Sequence, residues 1–198
     1  MEKKLGEYKN YIFDLDGTLY FQKPVRRAMA LRLMCYYAFR FWKIGELIEL
    51  KNYRKKRETP EGIVDITSPA IERWLIDRPL KSVAKHADRV LCEFIQKQKV
   101  AGKTIIIYSD YPVEKKLAAL GLEGYVDCTF SAGDDGVRCL KPDPRGINYI
   151  IAQTRIEPSE TILVGDRMEK DGLCAKSVGM DYLILARGKR GRRYDEIL

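Results

Sequence analysis

The sequence predicts an α/β fold in three layers, a parallel sheet between helices, interrupted by an α-helical insertion after the first strand. Three observations predict it. Apolar runs rich in β-branched residues alternate with helical patterns in the first 20 and the last hundred or so residues. From 21 to 100 that alternation stops and nothing reads as a strand. The polar residues able to do chemistry gather where the apolar runs end.

Four runs read as core strands: YIFDL (11–15), TIIIYS (104–109), TILVGD (161–166) and YLILA (182–186). A shorter run, YVDCTF (125–130), reads as a fifth. Helical patterns lie at about 81–99, 112–120, 144–154 and 169–178. Strands separated by helices pair in parallel, with helices covering both faces. Pro112 suits a first helical turn, and Gly121 and Gly179 suit helix ends. The insertion opens with a long helical pattern from Pro24 to about Lys56, passes through RETPEGIVDITSP, and resumes with a short helix at about 69–77. The expected division is a core of 1–20 and 101–198 and a helical cap of 21–100.

Composition narrows the function classes. At 45% hydrophobic residues the 198-residue chain can bury a core and is not a disordered tail. Its net charge of +8 is uneven: Tyr20 to Val100 holds 18 Lys and Arg against 9 Asp and Glu, and the rest holds 18 against 19. That excess favours anionic partners. The runs KNYRKKR (51–57) and RGKRGRR (187–193) read as solvated surface in preference to patches for nucleic acid or an anionic membrane. Five scattered cysteines and one histidine, His86, offer no zinc spacing and suit a reduced, cytoplasmic protein. No apolar signal stretch opens the chain, and AMALRLMCYYAFRFW, broken by Arg32 and Arg40, is too short and too charged to be a transmembrane segment.

The stretch FDLDGTLY (13–20) places Asp14 and Asp16 two residues apart, on one face if both lie in a strand. Carboxylates so close raise each other's pKa unless a cation or a shared proton intervenes. A plain Asp-Gly turn is the competing explanation. The second strand ends in Ser109 and Asp110, Lys141 lies in LKPDP, and Asp166 and Asp171 close the fourth strand and its turn. Taken singly these could be a strand end, helix caps and a surface lysine. Taken together they line the carboxyl ends of a parallel sheet, where such folds bind ligands.

The four motifs, D-x-D-G-T at 14–18, Ser109, Lys141 and G-D-x4-D at 165–171, closely resemble those of the haloacid dehalogenase superfamily, in particular its phosphoglycolate phosphatase and β-phosphoglucomutase-like members. The resemblance implies a Rossmann-like core with Asp14 as the nucleophile that takes up the phosphoryl group. It implies Mg²⁺ bound by the Asp14 and Asp166 carboxylates and the Asp16 backbone carbonyl, with Asp171 behind them. Asp16 would be the acid and base, and Ser109, the Asp110 N–H and Lys141 would hold the phosphate. Relatives that cleave carbon–halogen bonds lack an acid at the position of Asp16, so its presence points to phosphate esters. The long gap between Asp14 and Ser109, against a short one from there to Lys141, places the cap between the first two motifs. The expectation is a Mg²⁺-dependent phosphatase acting on a small phosphorylated metabolite through an aspartyl-phosphate. A phosphomutase on the same machinery is the alternative. A nucleic-acid or membrane binder on an inactive scaffold is the third reading, and the intact set of acids argues against it.

Overall fold

The computed structural model describes residues 4–57 and 68–185. Most of RETPEGIVDITSP and all of RGKRGRR lie outside the described residues. Five parallel strands form one sheet: β1 (Asn10–Phe13), β2 (Thr104–Ser109), β3 (Cys128–Ser131), β4 (Thr161–Gly165) and β5 (Asp181–Ile184). Their order across the sheet is β3-β2-β1-β4-β5, with β1 central between β2 and β4. All five strands expected from the sequence are present, β2 with the expected bounds and the other four shifted or shortened at their ends.

Period-two alternation splits these strands between two cores. Tyr11, Phe13, Ile105, Ile107 and Val164 face one side, where Leu91 and Ile95 of α5 (Arg89–Val100) and Leu117 of α6 (Glu114–Leu120) cover them. Ile12, Ile106, Tyr108 and Leu163 face the other, under Ile147 and Ile150 of α7 (Pro144–Thr154) and Cys174 and Ala175 of α8 (Leu173–Lys176). Each fully buried side chain of this kind contributes about 1.5–3 kcal/mol, which is why both faces read as unbroken apolar runs.

The insertion leaves and returns through a narrow junction. An antiparallel bridge joins Tyr20 to Ala87, and Asp88 N–H bonds to the Leu19 carbonyl at 2.9 Å. Within it lie α1 (Gln22–Ala38), α2 (Ile44–Arg57), α3 (Pro69–Ile71), continued by a π turn over Glu72–Asp77, and α4 (Leu80–Lys85). The single helix expected at 81–99 is two, broken at the junction, and its second half, α5, packs on the sheet: Phe94 meets the Tyr11 ring edge-on at 5.7 Å. The long helix expected from Pro24 to Lys56 is likewise divided, around Phe39–Lys43. Tyr36 and Tyr37 turn inward onto Trp74, with ring centroids 5.2 and 5.8 Å away, whereas Phe39 and Trp42 stay exposed. Lys115 of α6 reaches across to Glu72 and Asp77, at 3.1 and 2.8 Å. Among the described residues no helix is long and apolar enough to cross a membrane.

Candidate active site

The loops after β1, β2 and β4 meet at one end of the sheet. β1 stops at Phe13, so Asp14 and Asp16 stand in the turn beyond it and not on one face of a strand. Gly17 takes φ 106°, a left-handed value that a side chain would resist, and a helical turn follows in which Leu19 N–H bonds to the Leu15 carbonyl. The two carboxylates are thereby sent to different partners.

Asp14 enters a buried cluster. Lys141 Nζ donates to Asp14 Oδ1 and to Asp171 Oδ1, both at 2.6 Å, and Thr18 donates to Asp14 Oδ2 at 2.8 Å. Carboxylate oxygens of Asp14, Asp166 and Asp171 lie within 4.8 Å of one another, all three residues buried. Burial lifts the Asp14 carboxyl, Lys141 offsets part of the rise, and the neighbouring charges of Asp171 and Asp16 add to it, pushing the group up to about 6. For Lys141 burial opposes the charge, but Asp14, Asp171 and Asp110 outweigh it and hold the ammonium charged. Asp171 also fixes the loop after β4, because its Oδ2 accepts from the backbone N–H groups of Asp166 and Arg167. Gly165 makes room for it, since a Cβ there would lie 2.4 Å from the Asp171 side chain.

Asp16 sits in a second, separate set. Lys116 Nζ donates to both its oxygens, at 2.6 and 2.8 Å, Tyr20 OH donates to Oδ1, and Ser109 Oγ lies 3.3 Å from Oδ2. Burial works against the charge of Asp16, but Lys116, Tyr20 and Ser109 prevail and hold its carboxyl below the ordinary range. Asp110 is held as a carboxylate in the same way: burial is outweighed by Lys141 and by Lys170, whose Nζ donates to Oδ2 at 2.6 Å. The Asp110 side chain also accepts from the Lys141 backbone N–H at 3.1 Å, joining the loop after β2 to the one between β3 and α7.

All the residues singled out in the sequence thus collect at this end of the sheet. Four of their partners were not anticipated. Thr18 and Tyr20 each follow their aspartate by four residues, a one-turn spacing that FDLDGTLY already displays. Lys116 and Lys170 carry no such mark: Lys115, next to Lys116, is a half-exposed surface residue.

The haloacid dehalogenase-like hydrolase profile matches residues 8–179, a span that takes in every group just described. The chain belongs to that family. Solved structures agree with the assignment of this hydrolase. It is 26% identical to the HAD phosphatase of Thermococcus onnurineus over 92% of this chain and 89% of that one, with a TM-score of 0.65. A structure assigned as a β-phosphoglucomutase from Thermotoga maritima aligns over 93% of the hydrolase and 88% of its own chain, at 18% identity and a TM-score of 0.62. The HAD hydrolase YfnB of Bacillus subtilis, solved with magnesium, aligns over 90% and 89%, at 17% identity and a TM-score of 0.58. Comparison of the hydrolase with curated proteins gave no significant match. Above the carboxylates lies a cavity of about 1640 Å³, floored by the strand ends and walled by the insertion.

Proposed function

We propose that this hydrolase is a Mg²⁺-dependent phosphatase that cleaves phosphate monoesters through an aspartyl-phosphate on Asp14, in the reducing interior of a cell, with residues 21 to about 87 acting as a cap. The observation that carries the proposal is the division of labour between two aspartates two residues apart, Asp14 buried and Asp16 partly so. One, Asp14, belongs to the cluster with Asp166 and Asp171; the other, Asp16, is held away from it by Lys116 and Tyr20.

The donor set fits a divalent cation. Three buried carboxylates face a single buried lysine, and a hard cation with oxygen ligands suits the remaining negative charge. Asp14 and Asp166 would hold it together with the Asp16 backbone carbonyl, and Asp171 adds a third carboxylate to the same cluster from behind them. Bound there, Mg²⁺ supplies charge neutralisation for the phosphoryl oxygens. An oxygen of Asp14 attacks phosphorus, and the bond to the leaving oxygen breaks. Asp16 gives that oxygen its proton. It then takes a proton from the water whose oxygen attacks phosphorus, releasing phosphate and restoring Asp14. As found, Asp16 is kept as a carboxylate, the form the second half needs; the first half requires Lys116 to let go of it. Lys141 lines the cavity and Ser109 lies 3.3 Å from Asp16; these two and the Asp110 N–H would hold phosphate oxygens. Transfer to a second hydroxyl of the substrate in place of water would make the same groups a phosphomutase, the function assigned to the Thermotoga maritima neighbour.

Purified protein should release phosphate from p-nitrophenyl phosphate and from some phosphorylated metabolites when Mg²⁺ is added, and stop in a chelator. Asp14→Asn is nearly isosteric and should fold normally while losing turnover by at least about a thousandfold. Turnover in that variant comparable with the wild type would remove Asp14 as nucleophile.

A further inference from the structure

The cavity above the carboxylates has two unlike halves. Its floor carries the charged groups. Its opposite wall is apolar: Met29 and Leu33 of α1, Ile44, Leu47 and Ile48 of α2, and Trp74. Ile44, Leu47 and Ile48 are 60%, 41% and 54% exposed, so three apolar side chains in succession on one helix face open space and not protein. No Asp or Glu of the described insertion enters the lining, and its polar contributions are confined to Gln22, Arg26 and Lys51. A hydroxyl-rich group such as a sugar would lose its hydrogen bonds to water against such a wall without regaining them. The volume points the same way, since about 1640 Å³ exceeds the roughly 300–1,000 Å³ of a small-ligand pocket.

We infer that the site takes a phosphate group attached to a long aliphatic chain, the phosphate on the carboxylate floor and the chain along α2. This deepens the phosphatase proposal above and rests on it for the chemistry, but the chain-binding wall is a separate observation. Covering Ile44, Leu47 and Ile48 gives the chain its affinity through removal of apolar surface from water. The outer side of the same helical pair suits the place where such a substrate is found. Leu31, Met34, Phe39 and Trp42 are exposed outside the cavity lining, and the sequence from 22 to 57 carries eleven Lys and Arg against two Glu, with Arg26 and Lys51 among them in the cavity, a balance that suits an apolar and anionic lipid surface.

Alkylphosphonates from methyl to octyl test the wall without turnover, because their carbon–phosphorus bond is not an ester. Titration calorimetry with wild-type protein and Mg²⁺ should show the dissociation constant falling about three- to fourfold for each methylene that becomes buried. Glucose 6-phosphate should bind more weakly than octylphosphonate. A flat series, or tighter binding of the sugar phosphate, would overturn the inference. In Leu47→Gln/Ile48→Gln, at two exposed positions that folding tolerates, the gain per methylene should drop below about twofold; an unchanged gain would show that the chain does not lie along α2. Phosphate release from octyl phosphate, followed in parallel, separates the two ideas. Graded phosphonate binding with no hydrolysis of any ester would sustain the wall and refute the phosphatase. Hydrolysis with a flat series would do the reverse.

Discussion

Lys116 decides what Asp16 can do. It is a buried cation donating to both oxygens of a largely buried carboxylate, and breaking such a pair from one side costs up to about 3–5 kcal/mol because the remaining charge loses its partner. In Lys116→Met the lost cation should let the Asp16 carboxyl rise, so that the protonated form persists to higher pH. The limb of the turnover–pH profile governed by that acid should move to higher pH, with a lower melting temperature. A profile that stays in place while the melting temperature falls would mean that Lys116 only supports the fold. The contrast with Lys115 is instructive. Its neighbour on the chain is half exposed and ties α6 to the insertion through Glu72 and Asp77, a surface contact worth a fraction of that energy.

Among the elements, the link between α5, β2 and the start of β3 shows how a single loop acid locks the layers. Asp127 Oδ2 accepts from the Ile105 backbone N–H at 2.8 Å, and Lys99 at the end of α5 donates to Oδ1. Partial burial raises this carboxyl, but the backbone donor and Lys99 together outweigh that and lower it. A carboxyl whose folded pKa lies below its unfolded value stabilises fully above the unfolded pKa of ~3.9 and loses that contribution as pH falls through the folded value. Asp127→Asn should therefore lower stability by about 1 kcal/mol at neutral pH, or about 2–4 °C in melting temperature. The gap from wild type should close below about pH 4. A gap that persists unchanged at pH 3 would show that the charge of Asp127 does not matter. The same acid sits at the entrance to β3, the strand whose start the sequence placed three residues early. VD (126–127) continues the run, and Asp127 grips Ile105 twice: its backbone N–H donates to the Ile105 carbonyl at 2.8 Å, and its side chain takes the Ile105 N–H that a further strand residue would otherwise pair with.

For the molecule as a whole, the acid cluster is a cost that folding meets only in part. Lys141 and, at 3.8 Å from Asp166, the half-exposed Arg167 bring two positive charges to three buried carboxylates, so a cation that binds the folded state and not the unfolded chain should stabilise it by mass action, about 2.7 kcal/mol at a hundredfold excess over the dissociation constant. Thermal melts should shift upward by several degrees on adding Mg²⁺, with no substrate present. In Asp166→Asn the shift should shrink and need more Mg²⁺. A melting temperature indifferent to Mg²⁺ in both proteins would argue against a metal in this cluster. The uneven charge of the chain acts at this scale too: Arg26 and Lys51 of the insertion line the cavity beside the apolar wall, so salt should weaken binding of anions there as the Debye length falls from ~10 Å at 0.1 M towards ~3 Å at 1 M.

The sequence alone determined the sheet, because its three central strands are buried on both faces and so read as apolar runs, and it brought the candidate site residues to one edge, because parallel strands share the side on which they end. Asp14, Ser109, Lys141 and Asp166 were legible for that reason. Only the tertiary structure decided how those residues divide. That Asp14 and Asp16 part company follows from β1 ending at Phe13 and from Gly17 at φ 106°. That Lys116 and not Lys115 is the buried one depends on which face α6 turns to the sheet, a one-residue difference of about 100° around a helix. The break at His86–Asp88, which returns α5 to the sheet, is made by backbone bonds to Leu19 and Phe21, some 65 residues earlier in the chain. Periodicity is a local signal, and contacts across such distances leave no trace in it.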